Sequence, residues 1–375
     1  MRYLSPYIKR DLDRKMVFIG GPRQCGKTTL AKHILDQERG GLYLNWDDDD
    51  DRNIILKKKW STSDRLLIFD ELHKFRRWKN WIKGVFDKIG KMHRILVTGS
   101  ARLDIYRRGG DSLMGRYHYW RLHPFSLCEL PAGVSIPDGF DRIMRLGGFP
   151  EPFLQNDERE ARRWHRERLE KVVKDDLRDL EAVRDISGIM MLIDLLRERV
   201  GGPIVVSHLA GDLQVAPKTV KHWIDLLERM YVIFVVKAHV GKISRAISKP
   251  TKIYFYDNAD VIGDNGPKFE NLVATHLLKR LQFLEDRDGY RYELAYIRDK
   301  EKREVDFVLL KERKVEQCIE VKWNDETPSS ALKYFTIKLK PKKRSLQLVG
   351  TLKRGFQSGD IDVESALKWL PDFAY

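Results

Sequence analysis

Over the first 120 residues, short apolar runs rich in β-branched residues alternate with amphipathic stretches, the sequence mark of helices packed on a parallel sheet. MVFIGG, at Met16 to Gly21, predicts a strand, and Thr28 to Gln37 predicts the helix after it. GLYLNW, RLLIFDE and RILVTGS supply three more strands, each followed by a polar or helical segment. Four buried-type strands in this order make an α/β domain over residues 1–123.

Beyond it the pattern changes. Residues 124–184 open with HPFSLCELP and GGFPEP, then run into a densely charged segment from Asp157 to Arg184 whose mixed signs at helical spacing predict a solvated helical face, so this stretch is expected to be a helical lid or linker. In residues 185–248, Ile189, Leu192, Ile193, Leu196 and Val200 lie on one helix face. VSHLAGDLQVAPKTVKHWIDLLERM then gives a short helix, a turn and a longer helix before the strand VIFVV. That order resembles a winged helix-turn-helix, in which Lys218, Thr219, Lys221 and His222 would face a nucleic-acid groove; a packing or self-association module reads equally well. Residues 249–375 begin after a hinge near Ser248 to Pro250. They predict a strand at IYFYDNAD, a helix at Lys268 to Leu284, and strands at Tyr290 to Ile297, Val305 to Leu310 and Val315 to Lys322. The acidic run Asp47 to Asp51 reads as a solvated loop.

Lysine and arginine number 70 against 55 acidic residues, a net charge of +15, which favours polyanionic partners without excluding plain solubility. Cys25, Cys128 and Cys318 are far apart and form no zinc or disulfide pattern, which suits a reducing cytoplasm. The N-terminal segment is charged, and later apolar runs such as Val232 to Val236 fall far short of the roughly 20 residues a membrane helix needs. A soluble cytoplasmic protein with no membrane partner is expected.

GPRQCGKT, Gly21 to Thr28, fits G-x-x-x-x-G-K-[ST] between a predicted strand and a predicted helix. Gly21 and Gly26 let the backbone curl through Pro22, Arg23, Gln24 and Cys25, so that amide N–H groups up to Thr29 face phosphate oxygens. Lys27 neutralises the β- and γ-phosphates, and the Thr28 hydroxyl completes a Mg²⁺ shell. ATP with Mg²⁺ is the expected ligand pair. LLIFDE ends a strand in two carboxylates, of which Asp70 would hold the magnesium through water and Glu71 would act as base toward the attacking water; a helix-capping Glu71 is the alternative. In ILVTGS, Thr98 and Ser100 are candidates to reach between Glu71 and the γ-phosphate, and Ser100 fits better because it lies past the strand end.

This set of strand-end motifs resembles the AAA+ class. In that class an arginine from a neighbouring subunit often stabilises the transition state; Arg102, Arg107, Arg108 and Arg116 stand in the matching region, with Arg116 the first choice and a surface ion pair the alternative. A homo-oligomer with a finger acting in trans is the corresponding expectation. Through GPRQCGKT, LLIFDE, LVTGSA, SLMGRY, HPFSL, GGFPEP, KFENLVATHL, VDFVL and IEVKW, nearly the whole chain resembles a prokaryotic and archaeal family of AAA+ ATPases with a winged-helix middle and a C-terminal domain of uncharacterised function.

The C-terminal block has chemistry of its own. Asp306 in one strand and Glu320 with Lys322 at the end of the next place two carboxylates and an amine on one side of a sheet edge, because side chains repeat with period two. Two carboxylates can bind Mg²⁺ and a lysine can position a water, the equipment of phosphodiester hydrolysis. With Glu270 on the preceding helix, the order resembles the restriction-endonuclease-like PD-(D/E)xK fold, many members of which only bind. Lys333, Lys338, Lys340, Lys342, Lys343 and Arg344 add a basic tail. Three functions remain open: an ATPase acting with nucleic acid, DNA before RNA; an ATP-switched module that binds a protein partner; and an ATP-regulated nuclease.

Overall fold

The computed structural model describes residues 2–90, 92–99, 113–176, 185–240 and 250–372. Ser100, Arg102, Arg107 and Arg108 lie outside the described residues, as do Ser248 and the last part of the charged segment, residues 177–184. The chain divides into two compact units, residues 1–124 with 229–231 and residues 125–228 with 232–375.

The first unit is a parallel five-stranded sheet in the order β2-β3-β4-β1-β5. Its elements are α1 (Ser5–Leu12), β1 (Met16–Gly20), α2 (Lys27–Leu35), β2 (Gly41–Asn45), α3 (Asp49–Lys57), β3 (Leu66–Asp70), α4 (Trp78–Ile89), β4 (Arg94–Thr98) and β5 (Tyr117–Arg121). Every residue of β1 and β3 is buried, as expected of central parallel strands covered on both faces. On one face Phe18, Phe69 and Val97 pack with Trp78, Ile82 and Val85 of α4. β5, flush against β1 from Met16↔Tyr117 to Gly20↔Arg121, is a fifth strand beyond the four the sequence suggested. Its YHYWR mixes aromatic and basic residues and lacks the continuous apolar run of its neighbours. The acidic run is not a loop: the Asp48 side chain accepts from the Asp51 amide and caps α3, with Asp49, Asp50 and Asp51 in the first turn, where the helix dipole favours them.

The second unit contains α5 (Ile136–Leu146), α6 (Pro150–Gln155), α7 (Glu158–Lys171), α8 (Ile186–Arg197), β6 (Pro203–Ile204), α9 (Val206–Asp212), α10 (Pro217–Arg229), β7 (Ile233–Ala238), β8 (Thr251–Phe255), α11 (Asn265–Asp288), β9 (Tyr292–Arg298), β10 (Glu304–Lys311), β11 (Lys314–Lys322), α12 (Ser330–Leu339), β12 (Ser345–Val349), β13 (Phe356–Ser358), β14 (Ile361–Ser365) and α13 (Ala366–Asp372). Its strands form one sheet ordered β13-β14-β12-β11-β10-β9-β7-β8-β6. β8, placed by the sequence in a separate C-terminal block, pairs antiparallel with β7 and β6, while β7 pairs parallel with β9, so the helical segment and the C-terminal block share a sheet. The apolar positions of α8 expected on one face, Ile189, Leu192, Ile193 and Leu196, are buried. On the other side of the sheet's far half, Leu332 and Phe335 of α12 pack with Val308, Cys318 and Val363.

Two local features mark the end of β8. Gly147, in the GGFPEP turn, has φ +78°, and a side chain there would meet Asp257 Oδ1, which explains the glycine. Asn271 of α11 accepts from the Phe255 amide at 2.8 Å and donates to the Phe255 carbonyl at 3.1 Å and to Asn258 at 3.1 Å, all in the buried interior. Asn271→Ala strands these groups and is expected to lower the stability of this unit by about 2–4 kcal/mol, read as a lower midpoint in urea unfolding.

Candidate nucleotide site and C-terminal carboxylate cluster

The nucleotide site forms where β1, β3 and β4 end. After Gly20 the chain turns through Gly21 (φ +144°), Gln24 (φ +63°) and Gly26 (φ +95°), and Gly26 then caps α2. At Gly21 a Cβ would lie 2.1 Å from the Leu122 carbonyl oxygen, so only glycine fits. Cys25 is buried, its thiol donating to the same Leu122 carbonyl at 3.4 Å. Lys27 is buried and curls beneath the loop, its ammonium donating to the carbonyls of Gly21 (3.1 Å) and Pro22 (2.6 Å). Phosphate oxygens would compete for that ammonium from the same side of the loop.

Asp70 stands across from the loop. Its Oδ2 accepts from Thr28 Oγ1 at 2.6 Å and from the Tyr43 hydroxyl at 2.7 Å; its Oδ1 accepts from Thr98 Oγ1 and from the Glu71 amide at 3.1 Å. Thr98 is therefore fully engaged in holding Asp70. Tyr43 went unnoticed in the sequence; it sits on β2, whose parallel register places Asn45 beside Asp70, and its long side chain reaches the strand end. Burial first, then its bond to Asp70, raises the Tyr43 pKa, keeping it a hydrogen-bond donor.

Glu71 adopts φ +54°, an unusual backbone for a glutamate, with its amide also donating to the Thr98 carbonyl at 3.1 Å. Burial raises its pKa above the ordinary carboxylate value, against the pull of Lys27 and Lys74. A carboxylate beside Lys27 and poised toward a higher pKa suits a general base. Arg116 lies at the opposite end of the sheet: its carbonyl accepts from Met16, the first residue of β1, and its guanidinium forks onto Asp87 at 2.7 and 3.2 Å. Five strand residues, about 16 Å, separate it from its own loop.

Thr28 and Asp70 offer adjacent oxygen ligands at a helix N-terminus, the hard donor set Mg²⁺ takes, so the residues present fit that ion.

In the second unit, Glu270 (α11), Asp306 (β10), Glu320 and Lys322 (β11) are electrostatic neighbours, beside a residue that the sequence pattern did not single out. The Lys252 ammonium, buried on β8, lies 2.8 Å from Glu304 Oε1, 3.1 Å from Asp306 Oδ1 and 3.3 Å from Glu270 Oε1. Tyr254, two residues on and on the same face, donates to Glu270 at 2.6 Å. A lysine inside the apolar strand KIYFY was the available signal. Glu304 and Asp306, two residues apart on β10, face the same way, the register of β10 with β9 shifts between Val305 and Val308, and Asp306 Oδ2 accepts from the Val321 amide at 3.0 Å. Both Asp306 oxygens are thus occupied. Lys322 pairs with Glu320 at 2.8 Å, while Glu320 Oε2 is buried without a partner. Burial, then the charge of Asp306, pushes Glu320 up to about 8; burial likewise raises Glu270. For Lys252, burial works to lower the pKa, and Asp306, Glu270 and Glu304 outweigh it, so the ammonium stays charged. Among the described residues no three carboxylate, histidine or cysteine side chains are arranged to hold a metal ion. The cluster as it stands does not fit the divalent ion its fold resemblance implies.

Lys218, Lys221 and His222 of α10 are exposed and Thr219 is half-buried; Lys333, Lys338, Lys340, Lys342, Lys343 and Arg344 are exposed, with Lys342 paired to Glu316 and Arg344 to Asp362. Among the described residues no helix is long and apolar enough to cross a membrane.

Residues 13–130 match the family described as an AAA domain. That match falls on the parallel α/β sheet and the phosphate-loop motif of the first unit. Residues 137–259 and 265–365 match two families described as domains of unknown function. An uncharacterized protein of Methanocaldococcus jannaschii is 23% identical over 95% of this chain and 87% of its own length. An uncharacterized protein of Mycobacterium tuberculosis is 22% identical over 67% of this chain, which spans 56% of that relative. Among solved structures, a Walker-type ATPase of Pyrococcus abyssi matches 68% of this chain and 93% of its own at 16% identity and a TM-score of 0.41. RuvB of Thermotoga maritima matches 62% of this chain and 88% of its own at 16% identity and a TM-score of 0.31. Scores this low do not establish a common fold over the matched lengths.

The raised Glu320 gives a pH signature. Its folded pKa lies above the unfolded value of 4.5, so the folded state holds its proton more tightly; this contribution to stability is full below pH 4.5 and is lost as the pH climbs to about 8. Glu320→Gln removes that loss. Melting temperatures of variant and wild type are expected to agree most closely near pH 5, with the variant gaining progressively toward pH 9.

Proposed function

We propose that this chain is a Mg²⁺-dependent ATPase whose nucleotide cycle acts on or with nucleic acid through the second unit. The observation that carries the reading is the convergence of Lys27, Thr28, Asp70 and Glu71 at the carboxyl ends of β1 and β3, where the AAA domain binds nucleotide. The loop amides of Gly21 to Thr29 cradle the phosphates, Lys27 neutralises them, Thr28 and Asp70 hold the magnesium, and Glu71 takes a proton from the attacking water. Bound magnesium would neutralise charge building on the phosphate oxygens. Thr98 and Tyr43 hold Asp70 in place; Ser100 remains the candidate to contact the γ-phosphate. Because Arg116 lies at the far edge of its own sheet, its role as a finger requires a second copy, which makes homo-oligomerisation part of the proposal.

For the second unit, helix α8, strand β6, helices α9 and α10, and strands β7 and β8 paired in the order β7-β8-β6 follow winged-helix connectivity. The run α11, β9, β10, β11, α12, β12, with β11 and β12 parallel, follows that of restriction-endonuclease-like domains. Exposed lysines on α10 and along residues 333–344, with the net charge of +15, support a phosphate-contacting surface, DNA before RNA. With Lys252 between Glu270 and Asp306, this module binds without cutting; the same cluster free of its lysine would have favoured the nuclease reading.

Glu71→Gln is expected to keep ATP binding and lose hydrolysis by about 10²–10⁴-fold. Wild-type hydrolysis is expected to rise with added DNA or RNA, with an affinity that falls steeply as salt increases; an ATPase rate indifferent to both would leave the protein-partner reading in its place.

A further inference from the structure

We propose that Lys252 is the resident cation of the C-terminal carboxylate cluster: it shuts divalent metal out of the native chain, and removing its charge converts the cluster into a divalent-cation site. The inference deepens the non-cutting reading of this module and rests on it.

The geometry is that of a cation in a cage. One ammonium is shared by Glu304, Asp306 and Glu270, each within 3.3 Å, from two different elements, β10 contributing two carboxylates and α11 one. Bulk solvent does not reach it, because Lys252 is fully buried. Each carboxylate has a second partner: the Tyr254 hydroxyl donates to the same Glu270 oxygen that meets the ammonium, while the Val321 amide holds the other oxygen of Asp306 and Arg298 the other oxygen of Glu304, at 3.3 Å. Gly201, at φ +77°, leaves room for the Glu270 carboxylate, since a Cβ there would approach its oxygens to 2.6 Å. Fixed, converging carboxylates are a preorganised cation cage, and an uncompensated cluster of this kind is intolerable in a buried place. A centre 2.8–3.3 Å from three oxygens matches an ammonium; a divalent ion needs about 2.1–2.6 Å, a contraction that loss of the lysine head group would permit. The partnerless Glu320 Oε2, whose carboxylate feels the charge of Asp306, offers a fourth oxygen once a stronger cation arrives.

The test uses the full chain without nucleotide, with Mn²⁺ as probe and free Mn²⁺ read by electron paramagnetic resonance. Lys252→Met and Lys252→Gln are each expected to take up one Mn²⁺ per chain beyond the wild type and to melt at a higher temperature with Mn²⁺ than with chelator; Lys252→Arg, which keeps the charge, is expected to behave as wild type. Adding Glu270→Gln to Lys252→Met should abolish the gain. Mn²⁺ uptake by the wild type that Asp306→Asn removes would overturn the proposal, as would absence of any gain in both neutral variants. Failure of both to fold even with Mn²⁺ present would also overturn it, because the proposal requires a divalent ion to replace the ammonium. Mg²⁺- or Mn²⁺-dependent cleavage of DNA or RNA by the wild type, lost in Asp306→Asn, would instead sink the non-cutting reading itself.

Discussion

The nucleotide site depends on one carboxylate. Asp70, almost wholly buried at the end of β3, accepts hydrogen bonds from Thr28 at the start of α2, Tyr43 on β2, Thr98 on β4 and the Glu71 amide. These four bonds tie three neighbouring strands and the phosphate-loop helix to a single point. A buried carboxylate without such donors would shed its charge or distort its surroundings. With them its position is set, and the start of α2 behind the loop from Gly21 is tied to the end of β3. Glu71 inherits its position from the same knot, since its amide is one of the four donors.

The two units solve the problem of buried negative charge in opposite ways. Around Asp70 the donors are mostly neutral hydroxyls, which a metal ion and its water shell can displace at modest cost. Around Asp306 the donors are the Val321 amide and an ammonium that is part of the chain. One carboxylate site is built to exchange its cation and the other to keep it. This difference supports assigning the chemistry to the first unit and recognition to the second.

Much of this was legible in the sequence because it rests on local pattern. GPRQCGKT declares itself through glycines that backbone geometry requires, and LLIFDE through a fully apolar run ending in acid. Asp306, Glu320 and Lys322 stood out by strand alternation, and Glu270 only through the order that the cluster shares with the restriction-endonuclease-like fold. What escaped depends on long-range pairing. The strand YHYWR has the wrong composition for a buried neighbour of β1 and is recognised only by its register with it. Asp47 to Asp51 looked like loop because acidic runs usually are, whereas Asp48 caps a helix. Lys252 and Tyr254 belong to the cluster only because β8 joins the same sheet as β9 and β10, a pairing no local pattern encodes.

In the proposed function, the loop from Gly21 to Thr28 and Asp70 together bind a nucleoside triphosphate with magnesium. Isothermal titration of the purified chain with a non-hydrolysable ATP analogue tests it directly. Saturable binding of one analogue per chain is expected, requiring Mg²⁺ for full affinity and lost in Asp70→Ala. Absence of binding by folded protein at millimolar analogue and magnesium would contradict it.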